Sequence, residues 1–107
     1  MKLFNKTRDV TIFDDVLVLR TMKEKTDGML AFKTPRPIYF ETRWGIHTFG
    51  MGTTIDVAVL DAEGIVVSLK KNIKPNRFFF WNPKYKRVLE LPPTDKILSG
   101  DMLELTS

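Results

Sequence analysis

One short segment concentrates the side chains whose types and spacing could support chemistry. It spans residues 44–51, carries the only histidine of the chain, and is rich in glycine, at positions 45 and 50 and again at 52. Glycine lets the backbone turn tightly and approach a ligand, while aromatic rings form an apolar wall around it. The sequence therefore predicts a ligand-contacting loop. Its candidate residues, completed by an aspartate shortly downstream, are Trp44, His47, Thr48, Phe49, Met51 and Asp56.

Acid–base chemistry is one hypothesis for this segment. His47 could exchange a proton near neutral pH and an ionised Asp56 could orient it, as in a small hydrolase-like enzyme. The structural alternative puts the glycines at turns or bulges, Phe49 and Met51 in the core, and Asp56 at a strand start, accepting backbone hydrogen bonds. Acid–base catalysis needs a geometry between partners that spacing alone does not provide. We therefore expect a non-catalytic binding or accessory domain rather than an enzyme.

Composition argues against several kinds of site. The chain has no cysteine, which excludes disulfides, thiolate metal ligands and cysteine nucleophiles. A catalytic zinc ion usually takes three protein ligands, and a single histidine falls short of that number. The sequence contains no aspartate-rich calcium loop, no glycine-rich phosphate loop and no Gly-x-Ser-x-Gly motif. We expect neither a metal nor a cofactor.

A second candidate surface is cationic. The chain has 17 basic and 13 acidic residues, but residues 64–89 hold seven basic residues and no acidic one, so the positive excess is local. An aromatic run at residues 78–81 interrupts this segment, and cationic grooves with aromatic platforms bind single-stranded nucleic acid. The alternative functional hypothesis is therefore weak RNA binding. Its candidate residues are Lys70, Lys71, Lys74, Arg77, Lys84, Tyr85, Lys86 and Arg87.

The same basic segment also has a structural interpretation. Alternate members of the aromatic run would point into the core, and the lysines would keep the protein in solution. Residues 71–77 are typical of an exposed turn, and such loops often carry function. The sequence leaves open whether a small molecule or an anionic partner is bound, and whether the basic side chains share one surface.

The elements that position these residues are short strands. Two β-branched runs, residues 55–60 and 65–69, flank a four-residue turn that ends in Gly64, which predicts a β-hairpin. Single helical turns are expected at residues 23–28 and after Thr94, ending at Gly28 and Gly100. The other predicted strands are residues 10–13, 16–19, 38–43, 78–81, 87–91 and 102–105.

These elements predict one mainly β domain covering residues 1–107. Seven to nine short strands with one or two helical turns are typical of a β-sandwich or a flattened barrel of the jelly-roll type. No run approaches the roughly 20 apolar residues of a membrane helix, and the apolar stretch at the N-terminus is too short for a secretory signal. We expect a cytoplasmic protein with no membrane partner.

The order of several motifs resembles the Domain of Unknown Function 192 family of bacteria and archaea. That family shows an aromatic residue close to a methionine, then Leu or Ile before Asp in a hydrophobic strand, then an Asp-x-x-Gly turn. The matching residues here are Ile46-His47-Thr48-Phe49-Gly50-Met51, then Ile55-Asp56, then Asp61-Ala62-Glu63-Gly64. Further similar segments are Gly28-Met29-Leu30, Val88-Leu89-Glu90-Leu91 and Gly100-Asp101.

The resemblance covers about residues 16–105, nearly the whole chain. It implies a mainly β fold of sandwich or jelly-roll type and no established activity. Two stretches differ from the family pattern. The connection between Met51 and Asp56 is shorter than usual, and Pro92-Pro93-Thr94 replaces a glycine-containing stretch.

Overall fold

The computed structural model describes residues 1–21 and 36–107, and within these ranges the regular secondary structure consists of ten β-strands without a helix. Short runs of β-branched and aromatic residues, separated by turn residues, account for most of these strands. The strands are β1 (Lys2–Asn5), β2 (Val10–Phe13), β3 (Leu17–Val18), β4 (Ile38–Glu41), β5 (Gly45–His47), β6 (Ile55–Leu60), β7 (Val66–Ile73), β8 (Phe78–Phe80), β9 (Arg87–Leu91) and β10 (Leu103–Thr106).

The strands form three sheets. A five-stranded sheet has the order β3-β4-β9-β6-β7 and is antiparallel except for the β3–β4 pair. A three-stranded antiparallel sheet has the order β10-β1-β2, and β5 pairs with β8 in a two-stranded antiparallel sheet. All three strand orders are open, so the described residues form no closed barrel.

Strand β6 lies inside the five-stranded sheet and all six of its residues are buried, which explains why its sequence is apolar apart from Asp56. Its residues divide between two core clusters, because successive side chains of a strand point to opposite faces. One cluster, shared with the three-stranded sheet, includes Leu3, Ile12, Ala58, Leu60, Leu89, Leu91 and Leu103. The other contains Leu19, Ile38, Phe40, Ile55, Val57, Ile73 and Val88. The five-stranded sheet therefore has packing partners on both faces.

The predicted hairpin is confirmed as the β6–β7 pair. Asp61 organises its turn, because Oδ1 accepts hydrogen bonds from the amides of Glu63 (3.0 Å) and Ile65 (2.9 Å). Gly64 has a φ of +92°, and a Cβ at this position would collide with the carbonyl oxygen of Leu103. Glycine is thus required both by the backbone conformation and by the close approach of β10.

The prediction of a mainly β domain is confirmed, but the elements differ from expectation in number. Strands β1 and β5 were not predicted, which brings the total to ten rather than seven to nine. Strand β7 continues to Ile73, so the turn expected at residues 71–77 is confined to residues 74–77.

The prediction of a helical turn after Thr94 is wrong, because residues 94–100 form bends and a turn. Two local features of that prediction are nevertheless present. Thr94 Oγ1 accepts a hydrogen bond from the Lys96 amide (3.2 Å), and Gly100 has a φ of +90°. The expected helical turn at residues 23–28 and the Gly28-Met29-Leu30 segment lie outside the described residues.

Candidate functional site

The β5–β8 pair brings the two surfaces predicted from the sequence together. Strand β5 belongs to the histidine-bearing segment and β8 to the basic aromatic segment. In their antiparallel register Gly45 lies opposite Phe80, Ile46 opposite Phe79, and His47 opposite Phe78. Parts of the two candidate segments therefore form one local structure.

One face of this two-stranded sheet is attached to the core. Ile46, Met51, Phe79 and Trp81 are partly buried and pack against the second core cluster. The indole Nε1 of Trp81 also donates a hydrogen bond to the carbonyl oxygen of Tyr85 (2.9 Å). Alternate members of the aromatic run thus fill the core, as the structural interpretation of that run expects.

The other face carries four rings joined by successive contacts, which we call the aromatic ladder: His47, Phe49, Phe78 and Phe80. His47 stacks on Phe49 with centroids 5.3 Å apart, and Phe49 meets Phe78 edge-on at 4.9 Å. Phe78 and Phe80 stack at 5.6 Å with an interplanar angle of 12°. The exposed fractions of the three phenylalanines are 41%, 60% and 66% along the ladder. Single exposed apolar side chains are ordinary, but a contiguous exposed group of rings is a candidate contact surface.

Trp44 lies immediately before β5 and is 71% exposed. No ring contact joins its indole to the aromatic ladder among the residues that the structure describes. Trp44 is therefore available at the edge of the ladder rather than being a part of it.

Thr48 is buried and anchors the turn before β8. Its hydroxyl donates a hydrogen bond to the carbonyl oxygen of Lys74 (2.7 Å) and accepts one from the amide of Arg77 (2.9 Å). Its backbone amide donates to the Arg77 carbonyl oxygen (2.9 Å), and its carbonyl accepts from the amide of Asn76 (3.1 Å). Asn76 has a φ of +63°, a left-handed conformation that asparagine tolerates better than most residues. Although Thr48 was a candidate ligand contact, its side chain is committed to positioning β8.

Asp56 is also committed to the scaffold. The side chain is 1% exposed, and its two oxygens accept hydrogen bonds from the amides of Asn72 (2.8 Å) and Thr94 (2.9 Å). The Lys71 ammonium group lies 3.9 Å from Oδ2. These contacts fasten the end of β7 and the loop after β9 to the start of β6, as the structural alternative for this residue expects.

His47 and Asp56 do not form an acid–base pair in this arrangement. His47 is exposed, and its Nδ1 accepts a hydrogen bond from the Phe49 amide (3.3 Å). Asp56 is buried and its oxygens are occupied by backbone amides, while no hydrogen bond or ion pair joins it to His47. This pair therefore lacks the hydrogen-bonded geometry that proton transfer between them would need.

Cationic side chains border the two-stranded sheet at both ends. Lys74 and Arg77 belong to the turn that precedes β8, and both are exposed. At the opposite end Arg43 precedes β5, and its guanidinium donates to the carbonyl oxygens of Pro83 (2.9 Å) and Lys84 (3.4 Å) in the segment after β8. Lys84 is exposed, with its ammonium group 5.7 Å from the ring centroid of Tyr85.

The remaining basic residues of the segment have other contacts. Lys86 pairs with Glu41 at 4.0 Å, and Lys71 lies beside Asp56. Arg87 is only partly exposed and donates to the hydroxyl of Tyr39 (3.0 Å) and to the hairpin turn. Lys70 is exposed on β7. The eight residues proposed from sequence therefore have different partners. Lys74, Arg77 and Lys84 lie in the segments that adjoin β8 and have no ion pair within the described part of the chain.

One shallow recess lies elsewhere, with a volume of about 400 Å³. Its lining residues are Lys71, Asn72, Pro93, Thr94 and Asp95. No residue of the aromatic ladder takes part in it.

No group of three or more His, Asp or Glu side chains is placed to hold a metal ion in residues 1–21 and 36–107. Over the same ranges, no helix is long and apolar enough to cross a membrane.

The sequence predictions missed Arg43 as a site residue, and they included the aromatic run at residues 78–81 without assigning Phe78 and Phe80 to its exposed face. The signal for the two phenylalanines lay in the strand alternation of the aromatic run, which puts every second ring outside. Arg43 carried no signal, because its relation to the segment after β8 depends on the pairing of β5 with β8.

Comparison with known proteins establishes the fold. No protein-family model and no curated protein matches the chain. A protein of unknown function from Novosphingobium aromaticivorans DSM 12444 is similar in structure, with a TM-score of 0.78 and 16% identity over 97% of this chain and 82% of its own. A protein from Sinorhizobium meliloti 1021, described as a candidate transcription regulator, has a TM-score of 0.68 and 15% identity over 96% of this chain and 89% of its own. At this level of identity the likeness concerns the fold alone.

Proposed function

We propose that the chain is a non-catalytic binding domain whose contact surface is the aromatic ladder on the β5–β8 sheet. The observation that carries this proposal is the pairing of β5 with β8, which gathers His47, Phe49, Phe78 and Phe80 on one exposed face. The opposite face of the same sheet is fixed to the core through Ile46 and its neighbours, so the rings are held on a firm support.

The charge around the ladder indicates the sign of the ligand's charge. Neither segment that forms the two-stranded sheet, residues 42–55 and residues 64–89, contains Asp or Glu, whereas together they contain eight Arg or Lys residues. Two of these cations face carboxylates of other segments, Lys86 at Glu41 and Lys71 at Asp56. The local excess of positive charge still attracts anions and raises their local concentration. We therefore propose an anionic ligand with planar rings or apolar groups that can cover the ladder.

Two features favour binding over catalysis. The histidine belongs to the ladder and contacts Phe49, while the aspartate proposed as its partner holds Asn72 and Thr94. The described residues also offer no cluster of metal-ligating side chains. A surface of stacked rings can recognise a ligand without any reacting group.

Membership of the Domain of Unknown Function 192 family is a further proposal. It is supported by the motif order quoted above and by a mainly β fold of the expected kind. Packing on both faces of the five-stranded sheet supports a sandwich arrangement. A cytoplasmic location stays a prediction. The description of the Sinorhizobium protein as a candidate transcription regulator is compatible with a nucleic-acid role but belongs to that protein.

An NMR titration of backbone amides tests the binding surface. The protein is titrated separately with polyuridylate, heparin, polyphosphate and polyglutamate. At least one polymer is expected to shift the amide signals of Gly45, His47, Phe78 and Phe80, while the signals of Asn5 and Asp101 stay fixed. Shifts confined to the recess around Lys71 and Thr94, or no shifts with any polymer, would refute the proposal.

A further inference from the structure

We infer that the ligand of the aromatic ladder is single-stranded nucleic acid, whose bases stack on Phe78 and Phe80 while its phosphates meet the cations at the ends of the β5–β8 sheet. This inference rests on the proposed function and assigns the chemical class of its ligand. Exposed rings on a sheet, bordered by Lys and Arg, are the combination that binds unpaired bases without strong sequence preference.

The composition of the exposed surface favours a ligand that presents planar rings. In the described ranges the large hydrophobic side chains that are exposed are Met1, Trp44, Phe49, Phe78, Phe80 and Leu98. The members at the β5–β8 sheet are all aromatic, and the two aliphatic ones, Met1 and Leu98, belong to other parts of the chain. Burial of apolar area alone would be served equally well by Leu, Ile or Met, whereas stacking requires a π face.

The positions of the cations match a single nucleic-acid strand that crosses the β5–β8 sheet. Lys74 and Arg77 stand at one end of the ladder, and Arg43 and Lys84 stand at the other. The ammonium group of Lys74 has no ion-pair partner within the described part of the chain, so a phosphate would not have to displace a carboxylate. Positive charge at both ends and rings between them suit a polyanion that presents bases between its phosphates.

His47 adds a hydrogen-bond donor to the ladder. Because Nδ1 accepts the amide hydrogen of Phe49, the neutral imidazole carries its proton on Nε2. That N–H can donate to a phosphate or to a base edge next to Phe78. The stacking rings and the donor therefore lie on the same face.

The binding mode favours unpaired bases. In a duplex the faces of the bases are already stacked on their neighbours, so they cannot lie on Phe78 or Phe80 without being unstacked. A ligand held by charge alone would not show this difference, since a duplex and heparin are also dense polyanions.

Fluorescence anisotropy tests the inference on the unmodified protein. Labelled 12-nucleotide strands of uridine or of deoxythymidine are compared with a labelled hairpin duplex, a heparin oligosaccharide of similar charge and vesicles containing phosphatidylglycerol. We expect at least one single strand to bind about tenfold or more tightly than the duplex and the heparin, and its affinity to fall with salt at a log–log slope of about −0.7 per phosphate contacted.

Matched variants assign the contacts. Phe78→Ala combined with Phe80→Ala is expected to weaken single-strand binding by about tenfold for each ring, while Leu98→Ala, which also removes an exposed apolar side chain, leaves it unchanged. Lys74→Ala is expected to reduce the magnitude of the salt slope by about 0.7. Lys6→Ala, near the three-stranded sheet, serves as its charge control.

Three outcomes would overturn the inference. They are equal or tighter binding of heparin or duplex, binding of the vesicles but of neither single strand, and single-strand affinity that is unaffected by loss of both phenylalanines in a variant with a native NMR spectrum. If the titration described above still places a polymer on the ladder, the proposed binding function survives and only its ligand is wrong. If no anion reaches the ladder, both proposals fail together.

Discussion

Gly45 lies directly beneath the ring of Phe80 across the β5–β8 pair. A Cβ at residue 45 would come within 2.6 Å of Phe80 Cδ1 and within 2.6 Å of the Phe79 carbonyl oxygen. Because Gly45 has no side chain, the ring of Phe80 can occupy the space where a Cβ would lie. This contact determines how the outer end of the aromatic ladder lies on its sheet.

Gly45→Ala is expected to disturb the ladder and to lower the free energy of unfolding by about 1–3 kcal/mol, since the new methyl group meets backbone as well as a side chain. Chemical denaturation measures the loss, and NMR shifts of the Phe80 ring report the displacement. Gly52→Ala is the control, because nothing lies within 4 Å of a Cβ there. Equal stability of the two variants would contradict the close contact.

Phe79 and Phe80 are neighbours with opposite roles, and alanine substitution should separate them. Phe79 packs against the core, so Phe79→Ala is expected to lower the free energy of unfolding by about 2–4 kcal/mol. Phe80 is mostly exposed, so Phe80→Ala should change stability by no more than about 0.5 kcal/mol while weakening ligand binding. Urea denaturation of both variants decides the matter, and the reverse order of stability would show that the faces are misassigned.

Asp56→Asn tests the role of Asp56 as an anchor. The amide side chain has one carbonyl oxygen and turns an NH2 group toward one of the two backbone amides, so that amide loses its acceptor. We expect a loss of about 2–3 kcal/mol in the free energy of unfolding and faster hydrogen exchange at Asn72 or Thr94. Asp95→Asn is the control, because Asp95 is exposed in the loop after β9 that also contains Thr94. It should have little effect. If both variants match the unmodified protein, Asp56 does not hold these segments.

Asp101 gives the protein a specific acid sensitivity. Burial by itself would raise the pKa of Asp101, but hydrogen bonds from Asn5, Arg8 and the Leu98 amide, with the charge of Arg8, hold the pKa below its ordinary value of 3.8. Since the folded-state pKa is the lower one, the unfolded chain takes up the proton first as the pH falls. The stabilisation is therefore complete above the ordinary pKa and is lost as the pH falls through the folded value.

The measurement is urea unfolding of the protein and of Asp101→Asn between pH 7 and strongly acidic conditions. The difference in free energy between the two should be constant down to about the ordinary pKa and should then shrink. A difference that stayed constant throughout the acid range would mean that Asp101 is not preferentially ionised in the folded state.

Strands with a strong local signal could be predicted from the sequence. Residues 10–13 and 87–91 were predicted with the bounds that β2 and β9 have, and the β6–β7 hairpin followed from two β-branched runs around a glycine turn. β1 and β5 were missed because each is short and contains a residue of low strand propensity, Asn5 in β1 and Gly45 in β5. These strands exist because β10 and β8 offer them hydrogen-bonding partners.

The candidate site was predictable only in fragments. Trp44, His47 and Phe49 were identified, and so were the flanking cations other than Arg43. The ladder, however, joins residues about thirty positions apart along the chain. Four consecutive aromatic residues give no indication of which two face outward until their partner strand is known. Thr48 and Asp56 looked like ligand contacts because buried polar residues and binding residues have the same types, and only their hydrogen bonds reveal the difference.

The burial of both faces of β6 affects how its register with the neighbouring strands is fixed. In a strand with one wet face, slippage by one residue would expose the apolar side chains, and that penalty fixes the alignment. β6 has apolar neighbours on both sides, so the hydrophobic effect alone would tolerate such slippage. The Asp56 carboxylate fixes the register instead. A shift of one position would turn this charge toward the other core cluster and would leave the amides of Asn72 and Thr94 without an acceptor.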